Sequence, residues 1–190
     1  MTLLDVGGTG DDFQFIDQNQ AAAVGFTLGQ AYSNVSISAE ILCVGCSGEL
    51  VLMRGDLGPT ATLTNFVTAA SFDVNSPVSP LLDGLDLDAG DYFLILAMTE
   101  AGSAGWIGSD APVITSIPGV SAGFNFFADA LDTPSFNSEF GAILSSRGLH
   151  FTVVAEISEV AVSAPPTLWM VFAGLALLAV RRRAGRSSVS

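Results

Sequence analysis

Apolar residues recur at every second position in two segments of the chain. In residues 34–41 (NVSISAEI) and again in residues 150–157 (HFTVVAEI), every second residue is apolar. Glu40 falls on the polar face of the first segment and His150 on the polar face of the second. Successive side chains of a β-strand point to opposite faces, so this period of two predicts two half-buried strands.

Other apolar segments are short, rich in β-branched or aromatic residues, and separated by Gly, Pro, Asp and Ser. They are predicted as five more strands, at 23–28, 48–54, 61–67, 91–98 and 121–127. Short strands at such spacing predict an all-β fold, an antiparallel β-sandwich or jelly roll.

Two longer stretches carry prolines and no clear period, and they are predicted as loops at 101–120 and 128–148. Within the second, residues 138–146 (SEFGAILSS) are compatible with a turn or a short helix. No segment before residue 160 shows a sustained helical period.

Charge is divided unevenly along the chain. With nineteen acidic residues against Arg54 and Arg147, residues 1–180 carry a formal charge of −17, whereas four arginines give the last ten residues +4. Lysine is absent. An acidic body is repelled by the phosphate backbone of nucleic acids, so no nucleic-acid partner is expected.

Cys43 and Cys46 form a single C-x-x-C motif in a glycine-containing turn between strand-like segments. A zinc site needs further ligands and a thioredoxin-like site needs a helix, and neither accompanies the motif. Two interpretations remain: a small disulfide formed in an oxidising compartment, or two free thiols.

Four carboxylates cluster in residues 83–91 (DGLDLDAGD), and oxygen ligands of this kind suit calcium. The spacing lacks the register of an EF-hand loop, and alternation with leucines equally predicts a solvated strand face. The calcium candidates are Asp83, Asp86, Asp88 and Asp91. No other metal and no cofactor is expected.

The sequence gives little indication of a catalytic site. His150 is the only histidine, and no G-x-S-x-G elbow accompanies it. We therefore expect no enzyme. A rival function is a carbohydrate-binding module, in which exposed Trp106, Tyr32 or Tyr92 would stack on sugar rings, although such aromatic residues are more often buried in the core.

An uncharged run of 13 residues, Leu168 to Val180, follows the pair Pro165 and Pro166 and precedes Arg181, Arg182 and Arg183. Prolines begin helices well, so a membrane helix is predicted at 166–180. It is short against the roughly 20 residues of a typical span. The arginines mark its cytoplasmic end.

The order of these three parts resembles the PEP-CTERM sorting signal of exported bacterial proteins. VSAPPTL at residues 162–168 stands where that family has a Val-Pro-Glu-Pro-Ser-Thr-Leu-like motif, and the apolar run and the RRR block follow it. The matching positions are Val162, Pro165, Thr167 and Leu168, with Pro166 where a serine is common. Ser163 and Ala164 replace the first Pro-Glu pair.

The resemblance implies that the chain is the substrate of an exosortase, a membrane processing enzyme that cuts near the motif. It implies a Gram-negative bacterium, export, anchoring in the inner membrane during sorting, and a final place at the cell surface or in the extracellular matrix. It further implies a role in exopolysaccharide or biofilm matrix, with polysaccharide as a partner. The alternative is a carbohydrate-binding β-sandwich held by a plain C-terminal membrane anchor that is never cut.

The expected organisation is an extracellular β-sandwich at 1–160 and a sorting signal at 161–190, with its basic tail at 181–190. The body also resembles ectodomains that precede this signal, where a tryptophan-containing strand corresponds to the segment around Trp106. Residues 1–13 (MTLLDVGGTGDDF) lack a basic, then apolar secretory leader, so the natural start is expected to lie upstream. Residues 5–12 (DVGGTGDD) are also compatible with an exposed acidic loop.

Overall fold

The computed structural model of the chain describes residues 1–18, 20–56, 60–73, 77–78, 81–98, 102–128, 140–143 and 148–156. The chain divides after Glu156, and residues 157–190 lie outside the described residues. The sorting motif, the helix predicted at 166–180 and the basic tail all fall there. In the described part of the chain, no helix is long and apolar enough to cross a membrane.

The described residues are all-β, as predicted, and every strand pair is antiparallel. The first eight strands are β1 (Thr2–Gly7), β2 (Asp12–Asp17), β3 (Ala21–Leu28), β4 (Tyr32–Ala39), β5 (Ile41–Val44), β6 (Ser47–Asp56), β7 (Thr60–Asp73) and β8 (Pro77–Val78). The others are β9 (Leu81–Leu87), β10 (Gly90–Met98), β11 (Ser103–Ser109), β12 (Val113–Ser116), β13 (Val120–Ala128), β14 (Phe140–Ile143), β15 (Gly148–Leu149) and β16 (Phe151–Ala155).

These strands form three sheets. Sheet 1 has the order β12-β1-β16-β4-β9, and sheet 3 has the order β15-β11-β5-β8 with β2 paired to β11. The second of the three sheets consists of six strands, β10-β3-β13-β14-β7-β6, that close on themselves, and it is called here the closed sheet. The main core draws buried residues from all three sheets, including Ile37 of sheet 1, Trp106 of sheet 3 and Phe26 of the closed sheet. Burial of this apolar surface is the main force that holds the sheets together.

The two alternating segments behave as predicted. Val35, Ile37 and Ala39 of β4 are buried. In β16, Phe151 and Val153 are buried, and both strands turn these side chains toward the main core. The period of two therefore identified the inward faces of two neighbouring strands of sheet 1.

The predicted loop at 101–120 is wrong in part, because β11 and β12 lie within it. β11 contains two glycines and β12 is exposed at every position, so neither shows the apolar alternation of a half-buried strand. Each becomes a strand by pairing with a neighbour, β11 with β2 and β12 with β1. The predicted loop at 128–148 is also wrong in part, because β14 occupies 140–143, within the segment 138–146 that is compatible with a turn or a short helix.

Strand β10 lies between β3 and β6 in the closed sheet, and it is buried on both faces. Leu94 and Leu96 belong to the main core. Phe93 and Ile95 point the other way, into a second cluster of buried residues that includes Phe126. A strand buried on both faces reads as a continuous apolar run, which is why DYFLILAM does not alternate.

Tyr92 connects the start of β10 to the turn before it. Its hydroxyl donates to the Asp88 carbonyl at 2.9 Å, its ring stacks on Phe26, and the Arg54 guanidinium lies 5.9 Å from its centroid. Burial raises the pKa of the Tyr92 phenol above its ordinary value, and the positive charge of Arg54 opposes that effect.

Because the folded state holds the Tyr92 proton more tightly, its contribution to stability is complete below about pH 10 and is lost as pH rises through the folded pKa. Tyr92→Phe is expected to cost about 1 kcal/mol at neutral pH, through loss of the hydroxyl hydrogen bond, and to reduce the alkaline loss of stability. Urea unfolding across pH 8–11 measures both effects. Tyr32→Phe, at the half-buried second tyrosine, is the control; an unchanged alkaline slope in Tyr92→Phe would contradict the assignment.

Candidate functional site

The outward face of sheet 1 carries a small grid of polar side chains. Asp5 of β1 pairs with Thr152 of β16, which pairs in turn with Ser38 of β4, so the three form one row across adjacent strands. Two residues further along, His150 and Glu40 stand side by side, and the amide of Glu40 donates to the His150 carbonyl at 3.3 Å. Residues two apart on a strand share a face, which places both rows on the same side of the sheet.

A cleft of about 330 Å³ opens over this grid. We call it the His150 cleft; its walls include the five grid side chains and the turn at residues 7–10. Gly7 leaves a gap beside Asp5 in the grid, since a Cβ there would lie 3.9 Å from Asp5 Oδ2. The cleft therefore lies where one position of a polar sheet face lacks a side chain.

Two short hydrogen bonds fix the grid. The Thr152 hydroxyl donates to Asp5 Oδ1 at 2.7 Å. His150 Nδ1 lies 2.9 Å from Glu40 Oε2. An ionised carboxylate only accepts, so Nδ1 carries the proton and, in the neutral ring, Nε2 keeps a lone pair.

His150 Nε2 is buried and has no hydrogen-bond partner among the described residues. The imidazole side chain is only 7% exposed, whereas the Glu40 side chain is 59% exposed. Nε2 lies under the turn at Gly8, where a Cβ would come within 3.4 Å of it. The same Cβ would lie 2.6 Å from Ser109 Cβ, so only glycine lets the turn approach this closely.

The geometry does not form a serine nucleophile. Ser109 lies close to the Gly8 turn, but it does not make the bond between a serine hydroxyl and Nε2 that activates such a nucleophile, since Nε2 has no partner among the residues that the structure describes. The Ser109 hydroxyl oxygen lies 3.2 Å from Thr9 Oγ1 and accepts from the Ala111 amide. The grid therefore presents hydrogen-bond acceptors in fixed positions, an arrangement suited to binding a ligand that donates hydrogen bonds.

The turn above the cleft carries one exposed acid. Hydrogen bonds from the Thr9 side chain and from the backbone at Asp11 hold the pKa of the Asp11 carboxyl below its usual range. From its sequence, the segment 5–12 is compatible with an exposed acidic loop. Instead β1 runs through Gly7 and β2 starts at Asp12, leaving a short turn between them.

The sequence singles out His150 as the one histidine, but it does not indicate which carboxylates lie near it in the fold. Glu40 and Asp5 lie 110 and 145 positions from His150 in the chain, and only the order of strands in sheet 1 brings them together. The available signal was the shared polar face of Ser38 and Glu40 in the alternating segment.

The calcium candidates are not gathered into one site. Each of the four has a different partner: Asp83 accepts from Ser36 Oγ, Asp86 from the Asn34 amide, and Asp91 from Thr27 Oγ1, while Asp88 lies 3.8 Å from Arg54. The described residues contain no group of three acidic, histidine or cysteine side chains placed to hold a metal ion.

Cys43 and Cys46 are joined by a disulfide, with their Cα atoms 5.7 Å apart. Both are buried in the main core. Gly45 lies between them with φ of +61°, a left-handed conformation that favours glycine. Thiol–disulfide exchange requires access to the sulfur atoms, so their burial indicates a structural crosslink.

The aromatic residues that could stack on sugar rings are mostly buried. Trp106 is fully buried, Tyr92 is buried, and Tyr32 is half-buried. Exposed aromatic surface lies instead on Phe66 of β7 and on Phe15 of β2, and Phe15 lies beside Phe13 and over Gly105 of β11. β2 was not predicted as a strand, and this pair was missed with it.

A scan against protein-family models and a search of curated proteins each returned no match.

Proposed function

We propose that the chain is an exported surface or matrix protein whose C-terminal segment is a sorting signal read by an exosortase-type enzyme. The observation that carries this proposal is the order of VSAPPTL, the 13-residue apolar run and the RRR block. A lysine-free body at −17 followed by a tail at +4 gives the charge asymmetry that orients a membrane segment, with the arginines on the cytoplasmic side.

Features of the body support export. A buried disulfide between Cys43 and Cys46 suits an oxidising compartment. We further propose that the body is a β-sandwich of the jelly-roll class. In support, buried residues of sheet 1, sheet 3 and the closed sheet pack together in one main core. In this proposal the body is carried to the cell surface and has no catalytic role.

Processing of the natural protein tests the proposal. Mass spectrometry of the mature C-terminus is expected to find a chain that ends near Pro165 in the surface or medium fraction. Pro165→Ala combined with Thr167→Ala is expected to leave the tail attached and the protein in the membrane fraction. Arg54→Gln, in the body, is the control and is expected to be processed normally. An intact Ser190 in the membrane fraction of the unmodified protein would instead indicate a plain anchor.

The basic block makes a separate prediction. Replacing Arg181, Arg182 and Arg183 together by glutamine removes most of the positive charge that orients the segment, and processing is expected to fall strongly. Arg186→Gln removes one charge further from the segment and is expected to have little effect. Fractionation followed by immunoblotting measures both. Equal processing of the two variants would contradict the assigned topology.

A further inference from the structure

We propose that the His150 cleft binds a small ligand that carries a primary ammonium group. This inference concerns the body of the protein and is independent of how the chain is delivered. The geometry points to a ligand that donates hydrogen bonds and carries positive charge, because the cleft presents fixed acceptors and negative charge.

The charge of the cleft is one-sided. Asp5 and Glu40 both line it, and the described residues of its lining include no lysine or arginine. Each carboxylate uses one oxygen in the grid, Asp5 Oδ1 toward Thr152 and Glu40 Oε2 toward His150. The second oxygen of each remains as an acceptor for a ligand. A cleft lined by one sign of charge concentrates small ions of the opposite sign.

His150 gives the second, independent indication. Its buried Nε2 is an acceptor without a donor among the described residues, on a ring that lines the cleft. A buried acceptor left unpaired is unfavourable, and an N–H donor removes that cost. Because the Gly8 turn covers Nε2, an ammonium group meets the exposed Glu40 carboxylate first and reaches Nε2 only as the turn shifts.

The dimensions indicate a ligand about the size of one sugar ring. A volume of about 330 Å³ is at the lower end of the range for small-molecule sites. Asp5 and Ser38 are two strand spacings apart, about 10 Å, so a ligand with donors at both ends spans the row. Calcium fits less well, since it takes six to eight oxygen ligands and, in the part of the chain that the structure describes, two carboxylates line the cleft.

The single histidine makes a direct test possible. His150 is the only imidazole in the chain, so its ring C–H signals in NMR spectra report on this cleft alone. The full chain in detergent is titrated with methylammonium and with glucosamine. Glucose, which lacks the ammonium group, and tetramethylammonium, which lacks N–H donors, are the matched ligands. Saturable shifts are expected with the first two and none with the last two.

The comparison of ligands identifies the source of the ammonium group. Glucosamine binding about tenfold or more tightly than methylammonium would assign the cleft to an amino sugar, and equal affinity would assign it to simple amines. Glucose binding as tightly as glucosamine, calcium chloride binding more tightly than either amine, or no saturable shift with any probe would overturn the proposal.

Variants connect the binding to the grid. Glu40→Gln and Asp5→Asn are each expected to weaken methylammonium binding about tenfold, because each removes one negative charge from the cleft. Asp17→Asn, at an exposed carboxylate of β2 outside the cleft, is the control and is expected to leave the affinity unchanged. Unfolding curves confirm that all three fold. Unchanged affinity in both cleft variants would overturn the proposal.

Discussion

Replacing Trp106 with alanine is expected to lower the free energy of unfolding by about 3–5 kcal/mol, the range for deleting a large buried aromatic side chain. The ring is fully buried in the main core, and its Nε1 donates to the His150 carbonyl at 2.9 Å. The substitution thus removes packing and a buried hydrogen bond at one position. Urea unfolding of the full chain in detergent, followed by circular dichroism, measures the change.

Trp106→Phe separates the two contributions. It retains much of the buried ring and loses the indole N–H, and the His150 carbonyl still accepts from the Glu40 amide. A smaller loss, about 1–2 kcal/mol, is therefore expected. If phenylalanine costs as much as alanine, the hydrogen bond dominates and the packing argument is wrong.

Phe93→Ala is expected to produce the second large effect, also about 3–5 kcal/mol. Phe93 is fully buried in the second cluster, and its ring meets Phe126 edge to face with centroids 5.2 Å apart. Its backbone lies in β10, which is buried on both faces, so the tightly packed neighbours have little freedom to move into the cavity.

Phe15→Ala deletes the same side chain at a position that is 62% exposed and is the matched control. A change within about 0.5 kcal/mol is expected there. Parallel urea unfolding of the two variants gives the comparison. A similar loss in both would mean that burial does not set the cost.

Much of the strand content was accessible from the sequence, and the reason is local. Half-buried β4 and β16 alternate, and β10, which is buried on both faces, is an uninterrupted apolar run. β12 carries no such signal, since a strand exposed at every position forms only through its pairing with β1. Patterns within a segment report which face is buried but not which neighbour a strand will have.

The same limit applies to the candidate site. The alternation placed Glu40 and His150 on polar faces, which was correct. The two polar faces form one continuous face because β4 lies beside β16 in sheet 1. Asp5 belongs to the same face because β1 lies on the other side of β16. Strand order is decided by the packing of the whole domain, so a grid assembled from three distant segments has no signature within any one of them.

The strand breaks at Glu40 and His150 have a dynamic consequence. At this point the amide of Glu40 donates to the His150 carbonyl, the amide of His150 to the Ile107 carbonyl, and the amide of Ile107 to the Glu40 carbonyl. This ring of three bonds joins sheet 1 to sheet 3. None of the three amides is released by fraying of a single strand, since each bond is held by a different pair of segments. They should therefore exchange with deuterium among the slowest in the body, as one cooperative unit.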